Sequence, residues 1–135
     1  MLSFKTKQFL KKIFLWATAL FYIAAGCNHF VHPDTYISLI PPYLPWPAFL
    51  NTLSGTLEIL FGGMLLINKT RKLATILIIL MLLAFLPAHV YMVQKNGCIS
   101  PALCVPLWLA WLRLPLQFVL IILIWKAYEW NKTAN

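Results

Sequence analysis

The sequence predicts an all-α membrane protein, a single domain of residues 1–135 that crosses the bilayer as a four-helix bundle. Hydrophobic residues make up 61% of the chain and charged residues only 10%, whereas soluble domains average about one half and about one quarter. The apolar residues form four long runs, separated by short basic, polar or proline-rich stretches. Each run is close to the roughly 20 residues that an α-helix needs to cross the hydrocarbon core.

The interruptions between the apolar runs set the predicted limits of the spans. The first span follows a lysine-rich start, which also occurs in signal peptides, but we favour a span because the rest of the chain is itself membrane-embedded. The second begins at Pro47, where the missing amide costs no helical hydrogen bond. The third contains Pro87, which should kink it one turn before its end. The predicted spans are residues 13–31, 47–67, 73–93 and 106–125.

Residues 32–47 form the first predicted loop, which is unusually rich in proline. Proline disfavours a continuing helix because it lacks the amide donor. Aromatic residues are interleaved with the prolines, and such side chains favour the headgroup region of a bilayer. The loop is either a stiff cap at the membrane surface or a simple connector. Its aromatic residues include Tyr36, Tyr43 and Trp46.

The basic residues predict the orientation of the bundle. The net charge of +8 does not indicate nucleic-acid binding, because the charges lie in short flanks between apolar runs. Positive residues favour the cytoplasmic side, so we expect both termini there and the proline-rich loop outside. The proline-rich loop carries no lysine or arginine and the loop at 94–105 carries only Lys95, whereas the other flanks carry Lys5, Lys7, Lys11, Lys12, Lys69, Arg71, Lys72, Lys126 and Lys132.

Glu58 is an acid near the middle of the second span, in a chain with only three acids. An ionisable group at that depth costs about 2.5–3.5 kcal/mol on insertion scales, so it usually faces a partner or a cavity. Ser54, Gly55 and Gly62 share its helical face, at spacings of three or four residues. Small residues let helices approach closely, which predicts that Glu58 points into the bundle.

The other spans place polar residues in the same outer half of the bilayer. We expect Glu58 to pair with Arg113 and to form the floor of a polar pocket. Alternatively, the pair could have a purely structural role and hold the helices of the bundle together. Metal binding by Glu58, His29 and His89 is a weaker alternative, because no ligand motif links them, and we predict no metal site. The candidate ligand-binding residues are Tyr22, Asn28, His29, Glu58, His89, Arg113 and Gln117.

Three cysteines need separate interpretations. Cys98 and Cys104 lie in the third loop, on the predicted outer side, where an oxidising compartment preserves disulfides. They could form a structural disulfide, remain free thiols or act as a redox pair. We expect Cys27 to be buried in the first helix.

Several segments together resemble the DoxX family of small four-helix membrane proteins. The matching segments are AAGCNHFVHPDTY at 24–36, IPPYLPWP at 40–47, SGTLEILFGGMLL at 54–66, TRKLA at 70–74, LPAHVYM at 86–92 and RLPLQ at 113–117. The resemblance covers nearly the whole chain and implies the same four-helix fold. It also implies functions linked to thiosulfate:quinone oxidoreductase subunits, to oxidative-stress complexes or, in animals, to receptor assembly.

We therefore expect a multi-pass protein of a bacterial-type inner (plasma) membrane that binds a quinone or another small lipophile as a subunit of a redox or detoxification system. Tyr22, Tyr43 and Trp46 would cover the apolar part of the ligand. Any enzymatic role would be that of a quinone-linked oxidoreductase subunit. The main alternative is a non-enzymatic assembly factor or chaperone for another membrane protein, and a small transporter is a weaker one. Possible protein partners are another membrane protein or a second copy of the chain.

Overall fold

A computed structural model describes residues 4–132, so the predicted domain limits at residues 1 and 135 lie outside it. The described chain is almost entirely helical, with one small antiparallel hairpin. Its elements are α1 (Phe4–Val31), α2 (Pro33–Leu39), α3 (Pro47–Leu66), α4 (Arg71–Ala84), α5 (Leu86–Gln94), β1 (Cys98–Ser100), β2 (Leu103–Cys104) and α6 (Leu107–Lys132).

Four helical segments are long and apolar enough to cross a membrane, which confirms the predicted all-α membrane architecture. These segments are α1, α3, the consecutive pair α4 and α5, and α6. Each long helix turns large apolar side chains outward, among them Trp16, Leu60, Leu80 and Phe118. Such extensive apolar exposure would be unstable in water but suits a lipid environment.

The closest helix contact is between α1 and α3, and glycines make it possible. A Cβ atom added at Gly55 would lie 2.7 Å from Cβ of His29 and 2.9 Å from the carbonyl oxygen of Gly26. One added at Gly62 would lie 3.0 Å from the carbonyl oxygen of Ala19. The face that carries Glu58 therefore meets α1 backbone to backbone, as small residues permit.

The apolar core lies toward the basic end of the bundle, where α1, α3, α4 and α6 meet. Leu65, Ala74 and Ile78 are fully buried there, and Ile124 of α6 is almost fully buried. The polar residues of interest lie nearer the other end, so the bundle has an apolar half and a partly polar half.

The proline-rich loop differs from the prediction, because it contains a short helix, α2. Pro33 occupies the first turn of α2, where no amide is needed, and Asp34 adds a negative charge next to the helix N-terminus. The helix ends at Leu39, ahead of Pro41 and Pro42. The prolines, from which a loop without helix was predicted, thus lie at the ends of α2 and determine where this helix begins and ends.

The third span is also broken earlier than predicted. The chain leaves regular helix at Phe85, and Pro87 lies in the first turn of the next helix, α5. Proline removes one helical hydrogen bond and its ring disfavours the preceding turn. The interruption therefore falls before the proline, more than two turns from the end of the span, and not one turn from its end.

The third loop forms the hairpin of β1 and β2, which the sequence did not predict. A disulfide joins Cys98 to Cys104 across the paired strands. Gly97 has a positive φ of 83° and lies against the backbone of Val105, a position that only glycine fits. The expectation for Cys27 was wrong, because this free cysteine is exposed on the surface of α1.

Candidate functional site

The buried acid Glu58 pairs with His29 across the α1–α3 contact. Nε2 of His29 lies 3.6 Å from Oε2 of Glu58. Both residues are almost inaccessible, with 7% of His29 and 6% of Glu58 exposed. The glycines that bring the two helices together also bring these two side chains within reach of each other.

Asn51 of α3 fixes His29 at two points. Oδ1 of Asn51 lies 2.8 Å from Nδ1 of His29, and Nδ2 of Asn51 donates to the His29 backbone carbonyl at 3.2 Å. Since the amide nitrogen is committed to the carbonyl, the amide oxygen faces the ring, and Nδ1 must carry the proton. In the neutral ring, Nε2, the nitrogen beside Glu58, is then unprotonated and can take up a proton.

The second contact also repairs the backbone at the end of α1. The His29 carbonyl would ordinarily accept from the amide of residue 33, but Pro33 has none. The side chain of Asn51 supplies the missing donor. The position of the histidine is thus coupled to the proline that ends α1.

A short helix covers the outer side of this histidine. The ring of Tyr36 in α2 stacks on that of His29, with ring centres 3.7 Å apart and planes 28° apart. Nδ2 of Asn28 donates to the Tyr36 hydroxyl at 2.8 Å. Tyr43 and Trp46, which were expected to form the cover, are 70% and 75% exposed. The residue that covers His29 is therefore Tyr36, and a ligand-covering role for Tyr43 and Trp46 stays a prediction.

Two buried oxygen atoms at this site have no hydrogen-bond partner within the described residues. They are the Tyr22 hydroxyl and Oε2 of Glu58. Tyr22 is buried near Glu58 and lies two turns from His29 on the same face of α1. Buried polar atoms are rarely left without a partner, so the Tyr22 hydroxyl can bind a ligand, whereas Oε2 of Glu58 already has its longer contact of 3.6 Å with Nε2 of His29. We call Tyr22, His29, Asn51 and Glu58 the α1–α3 cluster.

The expected ion pair between Glu58 and Arg113 is not formed. The described residues contain no contact between their charged groups within 4.0 Å, and Glu58 faces His29 instead. Arg113 is on α6, which packs against α5 and lies near His89. Its Nε is buried and has no hydrogen-bond partner among residues 4–132. We call His89, Arg113 and Gln117 the α5–α6 cluster.

Gln117 binds the backbone at the break between α4 and α5. Its Nε2 donates to the carbonyl oxygen of Leu82 at 2.7 Å. That carbonyl lies at the end of α4, where the regular helical ladder is interrupted before Pro87. A side-chain donor satisfies such a carbonyl where no water is present. The amide nitrogen of Gln117 thus has a structural role, and a ligand-binding role for this residue stays a prediction.

The seven predicted residues therefore fall into two groups. Tyr22, His29 and Glu58 meet in the α1–α3 cluster, with Asn28 beside its cover, whereas the other three form the α5–α6 cluster. No group of three histidine, cysteine or acidic residues is close enough to hold a metal ion in the part of the chain that the structure describes.

Two surface cavities lie at the basic end of the bundle, away from the α1–α3 cluster. They have volumes of about 390 Å³ and about 130 Å³. The first is lined by Lys72, Trp125, Tyr128, Glu129 and Lys132, and the second by Phe4, Lys7, Gln8, Lys11, Lys12, Trp130 and Asn131. Neither includes a residue of the α1–α3 cluster, whose side chains are buried.

Comparison with known proteins identifies a family but no activity. Residues 18–128 match the family model described as Domain of unknown function (DUF8561). The chain belongs to this family. No curated protein and no solved structure matches the chain. The DUF8561 region contains both polar clusters and the disulfide hairpin.

Two residues of the site, Asn51 and Tyr36, were not predicted from the sequence. Asn51 lies seven residues before Glu58 and therefore on the same face of α3, two turns away. That spacing was a usable signal. The stacking of Tyr36 on His29 had no comparable signal, because it depends on how α2 folds back over α1.

Proposed function

We propose that this protein binds a quinone or another small lipophile at the α1–α3 cluster, as a membrane subunit of a redox or detoxification system. The observation that carries the proposal is the buried pair of His29 and Glu58, 3.6 Å apart, next to a buried Tyr22 hydroxyl that has no hydrogen-bond partner in the described residues. The chain has only three acids, and one of them, Glu58, lies in the interior of a membrane bundle. Ionisable groups in such positions usually have a function.

The cluster offers hydrogen bonds of both kinds to a ligand with carbonyl or hydroxyl groups. The Tyr22 hydroxyl can donate to a quinone carbonyl, and a carboxylate at Glu58 can accept from a quinol hydroxyl. His29 can exchange a proton with Glu58 through Nε2, because Asn51 holds its Nδ1–H away from the acid. The same geometry would serve proton uptake in quinone reduction, with electrons supplied by a partner subunit.

The resemblance of the chain to the DoxX family supports the redox setting, and the charge pattern supports the orientation. Both termini would be cytoplasmic in a bacterial-type plasma membrane, since the basic residues cluster at that end. The α1–α3 cluster, α2 and the disulfide hairpin would then face the outer, oxidising side. Cysteine labelling in intact cells, with single cysteines placed at Lys69 and at Gln94, tests this orientation.

The direct test is mass spectrometry of small molecules that remain bound after gentle purification. We expect a quinone or similar lipophile with the wild-type protein and not with Glu58→Gln. Glu129→Gln is the matched control, because it removes an acid from the exposed end of α6. An empty wild-type protein that also fails to bind an added short-chain quinone would contradict the proposal.

The close approach of the α1 and α3 backbones at Gly26 and Gly55 favours a second function, that of a non-enzymatic assembly factor. Here the His29–Glu58 pair would hold α1 on α3, and the lipid-facing surfaces would recognise another membrane protein. Purification of a stoichiometric membrane partner with a ligand-free protein would support this function. Substitutions on the exposed face of α6, such as Phe118→Ala, should then release the partner, whereas Glu58→Gln should not if the bundle stays folded.

A further inference from the structure

Arg113 is a membrane-embedded cation without a counter-charge. It lies six residues inside α6, about 9 Å from the start of the helix at 1.5 Å per residue. Its guanidinium stays charged in proteins, and placing such a group within a bilayer is costly unless it is paired. In the described residues, no carboxylate lies within 4.0 Å of it.

All three acids of the chain have other locations. Glu58 lies beside His29, and Asp34 is in the first turn of α2. Glu129 is sixteen residues further along α6, about 24 Å away along the helix axis. The part of the chain that the structure describes therefore offers Arg113 no carboxylate as a partner.

The hydrogen-bonding groups of Arg113 are also unused. Nε is buried and has no partner, and neither terminal nitrogen makes a hydrogen bond in the described part of the protein. Arg71, the other arginine, shows the contrast. Its Nε donates to the Leu65 carbonyl at 2.8 Å and its Nη2 to the Leu66 carbonyl at 3.4 Å.

We propose that Arg113 binds the oxyanion headgroup, a carboxylate or a phosphate, of an acidic amphiphile that inserts beside α6. The planar guanidinium presents parallel N–H groups that match two oxygen atoms of such a headgroup. His89 of α5 lies near it, in hydrogen-bond contact with Gln117. The exposed apolar side chains of Leu112 and Leu116, on the adjacent surface of α6, suit the hydrocarbon part.

This site is separate from the proposed quinone site, because it uses α5 and α6 and no residue of the α1–α3 cluster. The two proposals also predict different ligands. The quinone is neutral and depends on Glu58, whereas the amphiphile is anionic and depends on Arg113. The two binding experiments can therefore be interpreted independently, and failure of one proposal does not imply failure of the other.

The test compares binding of oleate and oleyl alcohol to the purified protein by native mass spectrometry and by thermal stability. These ligands share a chain and differ in the charged headgroup. We expect the wild-type protein to prefer oleate by about tenfold or more, since charge-assisted hydrogen bonds are the strong ones. Equal binding of the two ligands would overturn the proposal.

Arg113→Gln should lose the preference for oleate, and Arg71→Gln is the matched control that should keep it. A preference retained by Arg113→Gln would overturn the site. Should that variant fail to fold, the preference for oleate is measured in Arg113→Lys instead. Lysine keeps the positive charge, but its ammonium group cannot reproduce the paired hydrogen bonds. A reduced preference in Arg113→Lys then supports the site, and an unchanged one contradicts it.

Two further ligands identify the source of the oxyanion. Phosphatidylglycerol binding that displaces oleate and depends on Arg113 would assign the site to a phospholipid headgroup. Oleate binding without such displacement would assign it to a free fatty acid. Inorganic phosphate that stabilises the protein as well as either amphiphile would show that no apolar chain is needed, and this would overturn the amphiphile proposal.

Discussion

Asn51 binds both the ring and the backbone of His29, with one side-chain amide. Its oxygen lies 2.8 Å from Nδ1 and its nitrogen 3.2 Å from the carbonyl oxygen. The first contact sets the tautomer of the histidine, and the second replaces the hydrogen bond that Pro33 cannot make. The geometry of the His29–Glu58 pair thus depends on a neutral residue of the neighbouring helix.

Replacing Asn51 with Leu should therefore destabilise the bundle by about 1–3 kcal/mol, because it leaves two buried polar groups of His29 without partners. Unfolding in detergent, followed by circular dichroism, measures the change. Thr52→Val is the control, since the Thr52 hydroxyl is exposed and bonds only to its own helix, at Ala48. Similar losses in the two variants would show that the contact with His29 is not the cause.

The glycines of α3 allow a sharper test of how closely the helices approach. Gly55→Ala places a methyl group 2.7 Å from Cβ of His29 and 2.9 Å from the backbone oxygen of Gly26. We expect this variant to lose about 1–3 kcal/mol through overpacking and to separate His29 from Glu58. Weakened quinone binding should accompany the loss of stability.

Gly63→Ala is the matched control, because an added Cβ there meets nothing within 4 Å. This variant should be unchanged or up to about 1 kcal/mol more stable, since alanine favours helix over glycine. Both variants make the same chemical change on the same helix. Equal effects on stability would mean that helix propensity, and not the approach of α1, decides the result.

Gln117→Leu should loosen the break between α4 and α5. The substitution removes the side-chain donor to the Leu82 carbonyl, 2.7 Å away, and leaves that carbonyl only the longer hydrogen bond of 3.3 Å from the Phe85 amide. Hydrogen exchange should therefore accelerate for the amides of Ala88 and His89, which lie in the first turn of α5. Exchange in α3 should stay unchanged, and uniform acceleration in both helices would instead indicate global destabilisation.

The four spans could be predicted because length and hydropathy alone determine them. The face of α3 that carries Glu58 could be predicted from the spacing of Ser54, Gly55 and Gly62 along the helix. Helical periodicity shows which residues share a face, but it does not show which faces meet. That limit explains why Arg113 was wrongly expected to pair with Glu58 and why Asn51 was missed. The helix α2 was missed for another reason, because its prolines lie at its ends, where a helix tolerates them.

The disulfide between Cys98 and Cys104 should stabilise the hairpin without holding the bundle together. It closes a loop with a sequence separation of 6, for which chain entropy predicts a contribution of about 2 kcal/mol. Cys98→Ser should thus increase protease cleavage within residues 96–104 while the helical signal in circular dichroism stays the same. Cys27→Ser, at an exposed and unpaired position on α1, should leave the cleavage pattern unchanged. Loss of helical signal in Cys98→Ser alone would mean that the hairpin supports the helices, through its contact with α2.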